Sequence, residues 1–164
     1  MENQLIVSIA ASFIALCALG TTIWQGMQNR KHNKLSVKPI LNFDIKFTDG
    51  NFSLTLKNNG YGPAIISEYK VIFNDESIGK NADEIAIKLY EELEILEYNK
   101  KMYFPGKYQA MAPGETYIIL EIENIAKDPE EKRRMEKEIL WLNIMIKYKS
   151  IYEEFFTLSG PECV

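Results

Sequence analysis

The chain opens with a long uninterrupted apolar run and then switches to strict alternation. Leu5 to Trp24 reads LIVSIAASFIALCALGTTIW, twenty residues without a charge. At about 1.5 Å rise per residue a helix of this length spans roughly 30 Å, one hydrocarbon thickness, so the run predicts a transmembrane helix. Only Ser8, Ser12, Thr21 and Thr22 interrupt it, too few for the polar stripe that a core helix of a small domain carries. Met1 to Gln4 lacks the positive residues that open a secretory signal, which favours a retained anchor over a cleaved leader.

Beyond the basic stretch that follows, apolar residues recur every second position. Leu41, Phe43, Ile45 and Phe47 alternate with Asn42, Asp44 and Lys46, Asp49-Gly50 interrupts, and Phe52, Leu54 and Leu56 resume. The pattern predicts a strand, a hairpin turn and a strand. Further strands are predicted at Ala64 to Phe73, Tyr108 to Met111, Thr116 to Ile122, Leu140 to Tyr148 and Phe155 to Leu158. Turns are expected at Asn58 to Pro63, with Gly60 and Gly62 supplying positive φ, and at Pro113-Gly114. Two segments break the alternation. Asp128-Pro129-Glu130-Glu131 has an N-cap acid followed by proline at the first helical position, and it opens a helix to Ile139 with Met135 and Ile139 as its apolar edge. Asn81 to Leu96 is rich in Leu and Glu and is assigned as helix, although Ile85, Ile87 and Leu89 also fit a strand. A mainly β fold results: an N-terminal transmembrane helix, then an immunoglobulin-like β-sandwich of about seven strands with one or two inserted helices. The expected organisation is an anchor at 1–28, a basic juxtamembrane linker at 29–38 and a sandwich domain at 39–164.

Charge sets the orientation. The 164 residues carry a net charge of −4, yet no Lys or Arg precedes Arg30, and Arg30, Lys31, Lys34 and Lys38 then follow with no acid among them. Cytoplasmic flanks of membrane helices are enriched in Lys and Arg, so the domain is expected in the cytoplasm. Trp24, Arg30, Lys31, His32 and Lys34 are the predicted membrane-surface contacts. Acids outnumber bases beyond Lys38, which argues against a nucleic-acid partner.

Candidate chemistry is sparse. Gly60-Tyr61-Gly62-Pro63 differs from a phosphate-binding loop because Pro63 lacks an N–H and a strand follows. His32 is the single histidine, and Cys17 and Cys163 stand near opposite ends of the chain, so no zinc set, disulfide framework or His-dependent triad is expected. The carboxylate clusters at Glu91, Glu92 and Glu94 and at Glu153 and Glu154 read as solvated charge. No cofactor, metal or enzymatic activity is expected. The one dense candidate face is Tyr98, Lys100, Lys101, Met102, Tyr103, Phe104 and Tyr108, with Lys107 beside it, where aromatic and basic residues crowd as they do at interfaces.

The stretches His32 to Pro39, Leu56 to Ala64, Pro113-Gly114-Glu115 and Tyr148-Lys149 together resemble a group of small bacterial membrane-anchored proteins of unassigned function. The resemblance implies a bacterial inner-membrane protein with an immunoglobulin-like domain and brings no catalytic residues. It departs at Ile151-Tyr152-Glu153, where such sequences carry glycine. Two functions are open: a non-enzymatic module that presents its cytoplasmic sandwich to a protein partner or to a second copy, and a membrane-tethered sensor that takes a small ligand or nucleotide on the 98–108 loop. A concave pocket lined by that loop favours the sensor, and a flat exposed apolar patch or an open strand edge favours the module.

Overall fold

A computed structural model describes residues 2–95 and 97–161. Two compact units divide the chain, Met1–Ser36 and Val37–Val164. The first is one helix, α1 (Glu2–Ser36). It is long and apolar enough to cross a membrane, with a mean hydropathy of 2.2 over its most apolar stretch. Ile6, Ile9, Phe13, Leu16, Leu19 and Ile23 are all exposed, as lipid-facing side chains are and core side chains are not. The helix runs unbroken through Arg30, Lys31, His32 and Lys34 to Ser36, so the basic stretch expected as a linker is part of the same helix as the apolar run.

The second unit consists of two antiparallel sheets with a shared core. The first sheet has the order β1 (Leu41–Thr48), β2 (Asn51–Asn58), β7 (Thr116–Ile122), β5 (Lys100–Met102). The second has the order β4 (Glu76–Ser77), β3 (Ala64–Phe73), β8 (Leu142–Lys149), β9 (Phe155–Gly160), with β6 (Ala110–Met111) paired to the start of β3. Two-residue turns with both φ values positive close the β1–β2 hairpin at Asp49-Gly50 and the β3–β4 hairpin at Asn74-Asp75, the left-handed geometry that matches strand twist. Phe52, Leu54 and Leu56 of β2 and Leu120 and Ile122 of β7 are buried, as are Ile66 and Val71 of β3 and Ile144 and Ile146 of β8. Each such side chain contributes about 1.5–3 kcal/mol on leaving water.

Helix α2 (Ala82–Glu92) is capped by Asn81, whose side chain accepts from the Glu84 N–H, and it buries Ile85 and Leu89. The assignment of this segment as helix holds as far as Glu92; Leu96 lies outside the described residues, as does Cys163. Helix α3 (Pro129–Glu138) is capped by Asp128 and buries Met135.

Four differences from the sequence reading have physical causes. The described residues form nine strands rather than seven, because β4 and β5 are two and three residues long and too short to show a period. The strand expected from Tyr108 contracts to Ala110–Met111, since Tyr108 adopts a left-handed φ of 66°. Leu140 leaves the predicted apolar row: a 3-10 turn over Ile139–Trp141 follows α3 and rotates the chain, so Ile139 is buried, Leu140 is exposed, and the row begins at Leu142. Gly60 and Gly62 do not adopt positive φ. Glycine is required there by space, because a Cβ on Gly60 would collide with the Lys38 carbonyl oxygen and the Ile40 nitrogen, and one on Gly62 with the Val37 carbonyl.

Candidate functional site

The second sheet carries a cavity of about 570 Å³ lined by Ser67, Glu68, Tyr69, Lys80, Lys107, Tyr108, Lys149 and Phe155. Five separate segments build it. At its floor, β3 bulges between Ile66 and Glu68, so Ser67 is an extra residue against β8. On the opposite edge β6 pairs with Ala64 and Ile65, the preceding loop exchanges Tyr108 N–H to Ile66 C=O (2.7 Å) and Ile66 N–H to Gln109 C=O (2.9 Å), and β4 pairs only at Ile72 and Phe73. Among the described residues, therefore, no strand pairs this edge of β3 from Ser67 to Lys70.

The loop that delivers Lys107 and Tyr108 is organised by Gln109. Its Oε1 accepts from the Tyr103 hydroxyl and from the Gly106 N–H, both at 2.8 Å, and its Nε2 donates to the Tyr117 hydroxyl at 3.0 Å. Tyr108 is thereby held outward at 68% exposure, with the Lys107 ammonium 5.2 Å above its ring. Lys149 lies opposite Phe155 in the β8–β9 register, and the Phe155 ring is 74% exposed. Lys80 arrives from the turn before α2.

Charge in the groove is lopsided. Glu68 pairs with Lys147 at 2.9 Å, and Lys149 with Glu153 at 3.0 Å. The hydrogen bond from Lys147 and its positive charge, with weaker contributions from Lys107 and Lys70, hold the Glu68 carboxyl below the usual range. That shift reports an electropositive neighbourhood in a chain whose net charge is negative. Among the described residues, Lys80 and Lys107 have no carboxylate within ion-pair distance. Three ammonium groups and two exposed rings can hold a carboxylate-bearing or phosphate-bearing ligand that also presents an apolar surface.

The aromatic and basic face predicted from sequence is distributed between sites. Tyr98 is half-buried within reach of Glu131 on α3, and Lys100, Lys101 and Met102 form β5 at the far edge of the other sheet. The Lys100 ammonium lies 5.1 Å over the Tyr90 ring, and Lys101 approaches Glu121 (3.8 Å) and Glu123 (4.0 Å) beside a cleft of about 160 Å³. Phe104 is buried and stacked on Tyr69, their centroids 4.9 Å apart, while Tyr103 meets Tyr117 edge-on at 5.6 Å. Only Tyr108 of that set lines the larger cavity. Glu68, Lys149 and Phe155 went unrecognised because the β3–β8–β9 pairing, not any local spacing, assembles them, and Lys80 because it reaches the cavity from the turn before α2.

Of the predicted membrane-surface residues, Trp24 is 61% exposed, and Arg30, Lys31 and His32 are exposed on α1. The Ser36 hydroxyl donates to the His32 carbonyl at 2.9 Å. Among the described residues no group of three or more His, Cys, Asp and Glu side chains is placed to hold a metal ion. No family model and no curated protein matches the chain.

Proposed function

We propose that the chain is a membrane-anchored, non-enzymatic interaction module that presents a cytoplasmic β domain to a protein partner. Residues 5–24 hold it in a bacterial inner membrane, with Arg30, Lys31 and Lys34 at the cytoplasmic headgroups; the bacterial membrane follows from the sequence resemblance and the orientation from the placement of Lys and Arg. The domain is immunoglobulin-like in this reading. The order β1-β2-β7-β5 matches A-B-E-D of that fold, and β4-β3-β8-β9 matches C′-C-F-G.

The observation that carries the function is the groove over the unpaired stretch of β3. It combines an interrupted strand edge, three lysines and two exposed rings. An extended acidic segment of a partner satisfies all three at once: its backbone meets the β3 edge, its carboxylates meet Lys80, Lys107 and Lys149, and an apolar side chain lies on Tyr108 or Phe155. The cavity volume, within the range of small-molecule sites, favours a second reading in which a small anionic ligand or nucleotide occupies the same groove.

Both readings are tested with the full-length protein in detergent. A fluorescent peptide of alternating Glu and Phe and, separately, ATP are titrated against the parent and the triple variant Lys80→Gln/Lys107→Gln/Lys149→Gln. Partly exposed ion pairs contribute about 0.7 kcal/mol each, about 2 kcal/mol for the three, so the triple variant should bind the peptide about 30-fold more weakly, with a shallower salt dependence. ATP binding in preference to peptide replaces the module by the sensor, and equal peptide affinity of parent and triple variant refutes the groove. Orientation is checked separately by a reporter fused after Val164, where activity of a periplasm-only reporter contradicts a cytoplasmic domain.

A further inference from the structure

At the edge of the other sheet, β1 pairs with β2 along all eight residues and with no other strand among the described residues. The phase of its hydrogen bonds is fixed. The Asn59 N–H donates to the Ile40 carbonyl at 2.7 Å, and the register pairs Asn42 with Lys57, Asp44 with Thr55, Lys46 with Ser53 and Thr48 with Asn51. In an antiparallel ladder bonded and non-bonded pairs alternate, so residues 42, 44, 46 and 48 direct their backbone groups to β2, and Phe43, Ile45 and Phe47 direct theirs outward. Leu41 agrees with this phase, because its N–H reaches away from β2 to the Tyr148 hydroxyl at 3.4 Å. Side chains follow the same alternation: Phe43, Ile45 and Phe47 are half-buried against the core, and Asp44 and Lys46 lie exposed on the outer face, 2.8 Å from each other.

We propose that β1 is a self-pairing edge and that its partner is β1 of a second copy of this chain, antiparallel about a two-fold axis at Ile45. The outward backbone groups restrict pairing to registers that place odd-numbered residues opposite odd-numbered ones. Centring on Asp44 sets two aspartates face to face, and centring on Lys46 does the same for two lysines. Centring on Ile45 sets Asp44 opposite the second copy's Lys46 on both sides of the axis, Phe43 opposite Phe47, and Asn42 opposite Thr48. The charged pairs then occupy non-hydrogen-bonded positions, where opposing side chains are closest. Phe43, Ile45 and Phe47, incompletely covered at the edge, gain apolar partners in the same step. The contact is isologous and closes on itself, giving a dimer and not a fibre. An eight-residue edge is small for an interface, and confinement to one membrane raises the effective concentration at which it forms. Pairing through β1 does not involve the groove on the other sheet, so loss of one leaves the other intact.

The test uses full-length protein in phospholipid vesicles, with Cys17→Ser and Cys163→Ser removing the native thiols. Asp44→Cys and Lys46→Cys copies with different tags are reconstituted alone and mixed, then mildly oxidised. In the proposed register positions 44 and 46 of the two copies have Cα atoms about 4.5 Å apart, within disulfide reach, while position 44 is about 7–8 Å or more from its own counterpart. The mixed disulfide should therefore exceed either homodisulfide by about fivefold or more. Equal yields, or no crosslinked dimer, overturn the proposal. Charge provides an independent readout. Asp44→Lys and Lys46→Asp should each lower the dimer fraction about tenfold, and mixing the two variants should restore it, a recovery that misfolded chains do not give. Dimerisation unchanged by either reversal assigns association to another surface and refutes self-pairing through β1.

Discussion

Asn58 is wholly buried, and its side chain makes four hydrogen bonds. Oδ1 accepts from the Ile40 N–H (3.2 Å) and the Gly60 N–H (3.0 Å), and Nδ2 donates to the Gly62 carbonyl (2.8 Å) and the Met111 carbonyl (3.1 Å). The residue thus joins the entry to β1, the turn after β2 and the end of β6, the strand that fixes one end of the groove. Asn58→Ala leaves four backbone groups without that partner. Ile40 is exposed and turns to water, but Gly60, Gly62 and Met111 are buried. Each orphaned buried group costs about 1–3 kcal/mol, and a water in the vacated space recovers part, for a net loss of about 2–4 kcal/mol. Against a total of about 5–15 kcal/mol, this removes a large share of the domain's stability. Urea unfolding of the solubilised full-length protein, followed by circular dichroism, should show a lower midpoint with an unchanged slope. Asn58→Asp fills the same volume but turns an oxygen toward the Gly62 and Met111 carbonyls, so it should be no more stable than Asn58→Ala. A loss below about 0.5 kcal/mol in Asn58→Ala would refute the stabilising role of this hydrogen-bonded side chain, and an Asn58→Asp variant close to the parent would mean that volume and not hydrogen bonding matters at this position.

Three further outcomes follow from the packing. Gly62→Ala drives a Cβ into the Val37 carbonyl and should destabilise by about 1–3 kcal/mol in the same unfolding assay, whereas Gly106→Ala, with only the Gln109 Oε1 nearby at 3.7 Å, should change little. Burial raises the Glu138 carboxyl above its ordinary range despite the Arg134 charge, and its Oε2 is buried without a hydrogen-bond partner among the described residues. A carboxyl raised in the folded state binds its proton more tightly there than in the unfolded chain, so it weakens the fold once ionised. Glu138→Gln should therefore raise the melting temperature at pH 7, with the gain shrinking as pH falls through the carboxylate range; a gain that grows on acidification contradicts the sign. The fragment 37–164 contains the whole buried core of the β domain and should unfold cooperatively without α1, while a broad, non-cooperative melt would show that the anchor is part of the fold.

How much was legible in the sequence tracks the range of the interaction that decides each feature. The β1–β2 hairpin, β3, β7 and both domain helices follow from local signals: period-two alternation, the Asp-Gly turn, the Leu- and Glu-rich composition of 81–96 and the N-cap at Asp128. The long apolar N-terminal helix is equally local. Leu140 was misplaced because a 3-10 turn shifts phase without any change in composition. Gly60 and Gly62 were recognised as obligatory for the wrong reason, since the chain that approaches them, Val37 to Ile40, lies about twenty residues upstream and closes on them only in the fold. The groove was legible only at Lys107 and Tyr108. Glu68, Lys147, Lys149 and Phe155 come together through strand pairing across up to about ninety residues of sequence, which no local spacing encodes.

In the proposed reading the two surfaces of the β domain solve the edge problem in different ways, and both depend on membrane confinement. An edge strand with free backbone groups invites indiscriminate pairing unless charge or interruption limits it. The β3 edge is limited by interruption: β6 and β4 cover its ends and leave only Ser67 to Lys70 open, too short to template a sheet and long enough to hold one segment. The β1 edge is limited by charge: Asp44 and Lys46 oppose registers centred on either of them and permit the one centred between them. Each device gives up affinity for selectivity, because few backbone bonds and partly exposed ion pairs contribute little in dilute solution. A helix that keeps every copy at one surface restores occupancy without adding contacts, since a second encounter between tethered molecules takes place at a far higher effective concentration than in bulk. Removing α1 should therefore leave the fold and the intrinsic groove affinity intact while abolishing dimerisation at cellular concentrations. A fragment 37–164 that dimerises in dilute solution as readily as the full-length protein does in vesicles would separate self-association from the membrane.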